Sequence, residues 1–176
     1  RIEQAISVKI DKVCERYNGC VFVDATSNYR GKYAVGTSLL GSQTSFSLAK
    51  FKPDLVIHVG YTSGDYFSPR LIAGEVWRVS NSSLLEDTFG LLSAQFDMSF
   101  SEFLNLYRAD NTGENPVRLN YFNTVKAADE QLRAKIGQLP FSNASVCRDL
   151  SECIPDGAIV HLGILNSLRC WNFFRT

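Results

Sequence analysis

The sequence predicts an α/β fold: a three-layer, Rossmann-like parallel sheet with helices on both faces. The first observation is that short apolar runs alternate with segments of helical periodicity, as expected for strands joined by right-handed crossovers. The second is a repeated pattern, since residues 53–60 (PDLVIHVG) return as residues 155–163 (PDGAIVHLG). The two histidines of the chain, His58 and His161, take equivalent places in the two copies. Such β-branched runs, closed by glycine, are typical of strands buried on both faces of a parallel sheet.

The first third of the chain predicts a helix followed by two strands. Residues 6–17 carry apolar side chains at helical spacing, and Asn18-Gly19 supplies the left-handed stop that ends such a helix. A strand is expected at residues 20–24 and a polar loop at residues 25–32. A short strand within residues 33–40 and a helix over residues 43–51 complete this part.

The middle of the chain is expected to hold two strands and two helices. The first repeat strand, residues 55–59, leads through Ser63-Gly64 into a short helix over residues 65–73. Residues 75–80 alternate in the manner of a strand nearer the sheet edge. Ser99, followed three residues later by Glu102, has the capping-box pattern that begins a helix.

The last third is predicted to be mainly helical. Asn115-Pro116 is a typical start for the longest helix, to about residue 136, after a mobile loop over residues 110–115. A helix over residues 143–153 then leads to the second repeat strand, residues 158–162. A final helix is expected from Asn166 to Phe174.

Length and composition favour one domain without a nucleic-acid or membrane partner. The 176 residues are 45% hydrophobic and 20% charged, which is enough apolar content for one core. The 18 basic and 18 acidic residues cancel, and no cluster of Lys and Arg offers a surface for nucleic acid or anionic lipid. No apolar run approaches the roughly 18 residues of a membrane helix.

The five cysteines predict reduced thiols in a cytoplasmic protein, because their number is odd and no Cys-x-x-Cys spacing occurs. A metal shared by His58 and His161 is conceivable if their strands are neighbours. No Asp, Glu or Cys stands at a ligand spacing beside either histidine. Hydrogen bonds within the sheet are therefore the favoured interpretation, and no metal is expected.

Loops at strand ends carry the candidate ligand-binding residues, because ligands meet parallel sheets at the carboxyl ends of the strands. Thr62, Ser63 and Gly64 follow the first repeat strand and open a helix, whose N-terminus favours an anion or a nucleotide phosphate. The alternative is an ordinary turn with Asp65 as the helix cap. Residues 36–42 have the glycine spacing of a phosphate loop but lack its lysine.

Two further loops hold the predicted substrate-binding residues. Asn166, Ser167 and Arg169 come directly after the second repeat strand, where a hydroxyl and a guanidinium could hold a carboxylate. Ser27 and Arg30 follow the first strand on the same side of the sheet. A helix cap and a solvated loop are the alternatives that need no ligand. No catalytic residue is assigned, because the sequence offers neither a catalytic triad nor a G-x-S-x-G elbow.

These segments resemble the central domain of thiamine diphosphate-dependent enzymes, most closely the menaquinone-pathway SEPHCHC synthases and acetolactate-synthase-like proteins. The resemblance is carried by residues 53–60 with Thr62-Ser63, residues 24–30, residues 76–79, and His161-Leu162-Gly163 before Asn166-Ser167. It implies that residues 1–176 are one excised central domain lacking its first strand. Residues 166–176 would then begin the linker toward a diphosphate-binding domain.

The resemblance also implies the chemistry of a parent enzyme, a transferase or lyase that decarboxylates a 2-oxo acid and forms a carbon–carbon bond. The parent would hold thiamine diphosphate and magnesium between pyrimidine-binding and diphosphate-binding domains of the same chain, in a homodimer or homotetramer. The Gly-Asp-Gly motif of the diphosphate-binding domain is missing here. We therefore expect this chain to bind no cofactor by itself and to be inactive alone, lending loop residues to a neighbouring active site.

The chain departs from the menaquinone enzymes at one position of this pattern. Their arginine stands four residues after the serine, where this chain has Trp171, whereas Arg169 comes two residues after Ser167. Residues two apart on a helix lie on different faces, so the substrate of the parent is expected to differ from that of the menaquinone enzymes. A nucleotide- or FAD-binding Rossmann-like module and a plain interaction module are the alternative functions.

Overall fold

The computed structural model has an α/β fold and describes residues 4–27, 29–62, 64–107, 120–155 and 157–174. The helices of this part of the chain are α1 (Gln4–Tyr17), α2 (Ser38–Gly41), α3 (Phe100–Leu106), α4 (Asn120–Ala134), α5 (Asn143–Cys153) and α6 (Asn166–Trp171). Its strands are β1 (Val21–Val23), β2 (Ala34–Gly36), β3 (Leu55–Val59), β4 (Glu75–Ser80) and β5 (Leu92–Asp97). Short 3₁₀ helices cover Ala49–Phe51 and Ser68–Leu71.

The strands are parallel, as the alternation of strands and helices predicts. β3, β4 and β5 form a three-stranded sheet in that order, and β1 pairs with β2 separately. Leu55 lies opposite Glu75 and His58 opposite Arg78, and one bulge separates Val76 from Trp77 where β4 meets β5. This arrangement confirms the α/β class and is compatible with a Rossmann-like fold.

Several expectations about the strands are corrected by the structure. Residues 158–162 form no strand, and Ile159 within them is 83% exposed. β3 is not buried on both faces, because alternate side chains along it are exposed. It also lies at the edge of its sheet. β4 is the central strand rather than an edge strand. The sequence analysis missed β5, whose sequence LSAQFD has a weak apolar pattern. The packing of a strand depends on its neighbours, which the local sequence does not specify.

The helix predictions succeed where a local capping signal defines the end. Asn18, with φ of 56°, follows α1 in the predicted left-handed conformation. Ser99 and Glu102 form the predicted capping box of α3, and the hydrogen bonds from Ser99 lower the pKa of Glu102. α5 has the predicted bounds.

Three other helices are shorter than expected, and one lies partly outside the described residues. The last helix, α6, ends at Trp171 rather than at Phe174. The prediction of a helix over residues 43–51 is wrong, because only the 3₁₀ turn Ala49–Phe51 forms there. The Ser47 hydroxyl accepts a hydrogen bond from the Ala49 amide, and this bond competes with helical hydrogen bonding. Only Ser68–Leu71 is helical within residues 65–73. The loop over residues 110–115 and the helix start at residues 115–116 lie outside the described residues.

The main core joins α1, β1, β2 and α4. Val125 of α4 is fully buried there, and the rings of Tyr33 and Phe122 meet edge to face at 5.1 Å. A second group of aromatic rings packs α3 against the three-stranded sheet: Trp77, Phe96, Phe103 and Tyr107. None of the described helices combines the length and the apolar character that crossing a membrane requires.

Candidate functional site

The helix α6 lies across the loops that follow β1 and β3. In the loop after β1, the backbone amide of Ala25 donates to Oδ1 of Asn172 at 2.7 Å, and Asn172 is the residue that directly follows α6. Behind β3, the Arg169 guanidinium stacks 4.0 Å from the Tyr66 ring centre, and the rings of Phe67 and Phe173 are 5.5 Å apart. The structure therefore brings the backbones of the three predicted loops to one end of the fold, at the carboxyl ends of strands.

Arg169 lies at this end of the fold and has no anionic partner within the described residues. Its side chain is half-buried, its Nε is buried without a hydrogen-bond partner, and stacking on Tyr66 fixes the plane of the guanidinium. A planar guanidinium held by an aromatic ring keeps its hydrogen-bond donors ordered for a carboxylate or phosphate. This geometry supports the sequence-based choice of Arg169 as a ligand-binding residue.

Asn166 and Ser167 are exposed at the start of α6, beside Arg169 in sequence. The N-cap position belongs to Leu165, with no side-chain cap hydrogen bond, so the alternative that Asn166 is the helix cap is wrong. The Asn166 amide and the Ser167 hydroxyl make no hydrogen bond among the described residues. Both groups therefore remain available to a ligand.

Ser27 and Arg30 use their polar groups to hold their own loop together. The Ser27 amide donates to Asp24 Oδ1 at 2.9 Å. Arg30 Nη1 donates to the carbonyl oxygens of Ser27 at 2.9 Å and Tyr29 at 3.1 Å. Their role in binding a substrate stays a prediction, because these contacts already account for their orientation.

In the loop after β3, the buried carboxylate of the loop's own Asp65 lies where the sequence predicts a bound anion. Asp65 is 8% exposed and accepts from the amide of Phe67 at 2.9 Å and from the hydroxyl of Ser38 at 2.7 Å. These hydrogen bonds correspond to the alternative in which Asp65 caps the turn. An anion bound at Thr62 and Gly64 would be repelled by this carboxylate. Anion binding by these two residues stays a prediction. Ser63 lies outside the described residues.

The glycine-spaced residues 36–42 are packed rather than open. Thr37 is fully buried, and its hydroxyl lies 2.8 Å from that of Ser68. A Cβ built on Gly41 would come within 2.2 Å of the Phe67 carbonyl oxygen. A loop packed this closely leaves no room for a phosphate, in agreement with the missing lysine.

A buried arginine of β4, which binds the turn at the end of β3, is a feature that the sequence analysis missed. Arg78 is 2% exposed and donates from Nη2 to Glu86 at 2.6 Å and from Nη1 to the Gly60 carbonyl oxygen. Its guanidinium also lies 5.3 Å from the Tyr61 ring centre. Arg78 therefore fixes the turn that begins the loop after β3, in which the anion-binding residues were predicted. We call this loop the ligand loop. A charged residue in the middle of an apolar strand was the signal that could have identified it.

A second ion pair holds the chain beyond α6 in place. Arg133 of α4 donates from Nε to Asp129 at 2.6 Å and from Nη1 to the carbonyl oxygens of Phe173 at 2.6 Å and Phe174 at 2.9 Å. Burial raises the pKa of Asp129, and its contact with Arg133 opposes that effect. Because these carbonyls follow α6 directly, Arg133 helps to fix the orientation of the helix that carries Arg169.

The first repeat histidine has the structural role that the sequence favours. His58 packs against the ring of Phe89 at 4.9 Å, and its Nδ1 lies 3.5 Å from Nη1 of Arg78. The arginine can only donate, so Nδ1 accepts and the proton belongs on Nε2. Within the described residues, no group of three or more His, Cys, Asp or Glu side chains could hold a metal ion.

The environment of His58 predicts a pH-dependent stability. Burial, and then the charge of Arg78, lower the pKa of His58, while Glu86 opposes them. The unfolded chain therefore binds a proton at His58 more readily than the folded chain does. The contribution of neutral His58 to the free energy of unfolding is complete above about pH 6.5 and is lost as the pH falls. We expect urea midpoints to fall from pH 7.5 to pH 5.5, and His58→Gln to have a smaller fall. Equal falls in the two proteins would show that His58 is not responsible.

Comparisons with known proteins identify no family for this chain. No protein-family model matches the sequence, and no curated protein is significantly similar to it. The function must therefore be argued from the chemistry of the site.

Proposed function

We propose that this chain is the central, three-layer domain of a cytoplasmic thiamine diphosphate-dependent transferase or lyase. In this proposal it lends Asn166, Ser167 and Arg169 to an active site that neighbouring domains complete. The observation that carries the proposal is the stacked guanidinium of Arg169, which has no anionic partner within the described residues and lies at the carboxyl ends of strands. Its chemistry suits the carboxylate of a 2-oxo acid, the substrate class of these enzymes.

The residues of this chain do not fit thiamine diphosphate or magnesium on their own. The sequence has no Gly-Asp-Gly motif, and the described part of the chain has no cluster of metal ligands. In the proposal both groups belong to the pyrimidine-binding and diphosphate-binding domains of the same chain, within a homodimer or homotetramer. When bound, the cofactor would supply the carbanion chemistry of decarboxylation and carboligation, and this domain would position the substrate carboxylate.

Two features of the chain support the cytoplasmic location and the neighbouring domains. All five cysteines are free thiols, as expected in a reducing compartment. Apolar side chains at α5 are exposed, namely Phe141 at 95%, Val146 at 40% and Leu150 at 49%. Exposed apolar groups of this kind suit a contact with another domain.

Calorimetric titration with thiamine diphosphate and magnesium tests the cofactor part of the proposal. We expect no binding to residues 1–176, because the groups that would hold the diphosphate are missing. A dissociation constant in the micromolar range would contradict the proposal. In a parallel thermal-shift screen, stabilisation by FAD, NAD or ADP would instead favour the nucleotide-binding module.

Replacing Arg169 with glutamine tests the substrate part. Pyruvate and 2-oxoglutarate should shift NMR signals of α6, and Arg169→Gln should weaken their binding by at least about tenfold, since a charge-assisted hydrogen bond contributes roughly 1.5–3 kcal/mol. Arg148→Gln is the matched control, because Arg148 lies on α5 and already pairs with Asp149 at 2.9 Å. Equal weakening by the two substitutions, or no binding by the unmodified chain, would contradict the assignment.

A further inference from the structure

The outer edge of β3 is open, although its residues are strongly apolar. Among the described residues β3 pairs with β4 alone, so its other edge has no strand partner. Leu55, Ile57 and Val59 on one face of this strand are 38%, 36% and 41% exposed. Natural sheets commonly protect open edges with charged residues or proline, and β3 contains neither.

Residues 158–162, which we name the strap, have the sequence of a strand but pair with no strand among the residues that the structure describes. The strap repeats the pattern of β3, with Val160 in the place of Ile57 and His161 in the place of His58. Its apolar side chains are also exposed, Ile159 at 83% and Val160 at 41%. Within the described part of the chain there is therefore an unpaired apolar edge and an unpaired apolar segment that repeats its pattern.

The segments that follow the strap and β3 along the chain contact each other. Ile164, two residues after the strap, has its Cγ1 3.9 Å from the position of a Cβ on Gly64, which lies in the loop after β3. The strap leads into α6, which contacts the loop after β3 through Arg169 and Tyr66. The chain therefore leaves the strap and β3 toward the same side of the fold. This placement matches the orientation that parallel pairing needs.

The backbone at the two ends of the strap identifies its hinges. Gly157 has φ of 80°, which glycine adopts without strain. Leu165 has φ of 81° and ψ of −119°, a combination that is strained for any residue with a side chain. Strained residues of this kind are concentrated at functional sites and at segments that switch between arrangements.

We propose that the strap closes onto the open edge of β3 and adds to the sheet as a further parallel strand, relieving the strain at Leu165. The occupant of the edge is then the chain's own residues 158–162, paired next to residues 55–59. Closure buries the exposed apolar side chains of both segments and satisfies the backbone groups of the edge. The proposal concerns the movement of a segment and does not depend on the ligand of the neighbouring site.

Hydrogen exchange measured by mass spectrometry on the full chain tests the closure. Amides of residues 158–162 should exchange at least about tenfold more slowly than an unstructured peptide of the same sequence, because a ladder strand is protected. Replacing both Ile159 and Val160 with proline removes at least one ladder donor in either register. This variant should exchange its remaining strap amides at the unstructured rate while the core amides stay protected.

Leu165→Gly provides the test of the strained hinge. Glycine removes the backbone strain of the open arrangement and so removes the advantage of closing. The protection of the strap amides from exchange should therefore fall by roughly five- to tenfold. Leu85→Gly is the control, because Leu85 is 77% exposed in another loop and should leave strap exchange unchanged.

Three results would overturn the proposal. Exchange of the strap at the unstructured rate in the unmodified chain would exclude closure. Protection that survives the two prolines would exclude a ladder. Protection that increases with protein concentration would identify a second copy as the occupant of the edge.

Discussion

Replacing Gly74 with alanine should destabilise the fold by about 3 kcal/mol, through lost hydrogen bonding and backbone strain at the start of β4. Gly74 has φ of 68°, and a Cβ built on it would lie 2.0 Å from the carbonyl oxygen of Asp54. The same oxygen accepts from the Glu75 amide at 2.9 Å, the contact from which the pairing of β3 and β4 begins. Alanine must push the two strands apart, so this hydrogen bond weakens. Urea unfolding gives the free-energy difference.

Gly90→Ala is a matched control for this experiment. Gly90 has φ of 69°, nearly the same as that of Gly74, but a Cβ there would meet nothing within 4 Å. Its substitution should cost about 1 kcal/mol, which is the effect of the positive φ alone. The difference between the two variants isolates the close approach of Asp54. Equal destabilisation by the two substitutions would mean that the contact between the strands does not matter.

The success of the sequence analysis followed the range of the interactions involved. Ser99 and Glu102, three residues apart, form the predicted capping box, and Asn18 ends α1 as expected. β3 and residues 158–162 have nearly the same pattern, yet only β3 is a strand. A strand exists when a neighbour supplies its hydrogen bonds, and β4 does so for β3. The local sequence carries no information on that neighbour.

The candidate site shows the same limit. The rule that ligands meet the carboxyl ends of parallel strands selected Asn166, Ser167 and Arg169, and α6 does lie across the strand ends. The sequence could not show that Tyr66 would orient the guanidinium of Arg169. It also could not show that Arg133 would hold the chain after α6, because that contact joins residues 40 positions apart. Side-chain contacts of this range depend on the completed fold.

Replacing Arg78 with methionine should also cost about 3 kcal/mol, because it removes the charge of a buried side chain while keeping an apolar stem of similar length. The Gly60 carbonyl oxygen and Glu86 both lose their donor. Removing one partner of a buried pair costs roughly 3–5 kcal/mol. The lower value applies here, since the Glu86 side chain is 32% exposed and can recover part of its hydration. Urea unfolding at pH 7.5 measures the loss.

The same substitution at Arg70 separates this network from a general effect of losing an arginine. Arg70 is exposed and donates one hydrogen bond, to the Gly41 carbonyl oxygen at 2.7 Å, so Arg70→Met should cost less than about 1 kcal/mol. Glu86→Gln should cost less in the Arg78→Met background than in the unmodified chain, because the pair is already broken. Additive effects of the two changes would show that Arg78 stabilises the fold without Glu86. In that case the contact with Gly60 would be its main contribution, and the turn that begins the ligand loop would depend on it.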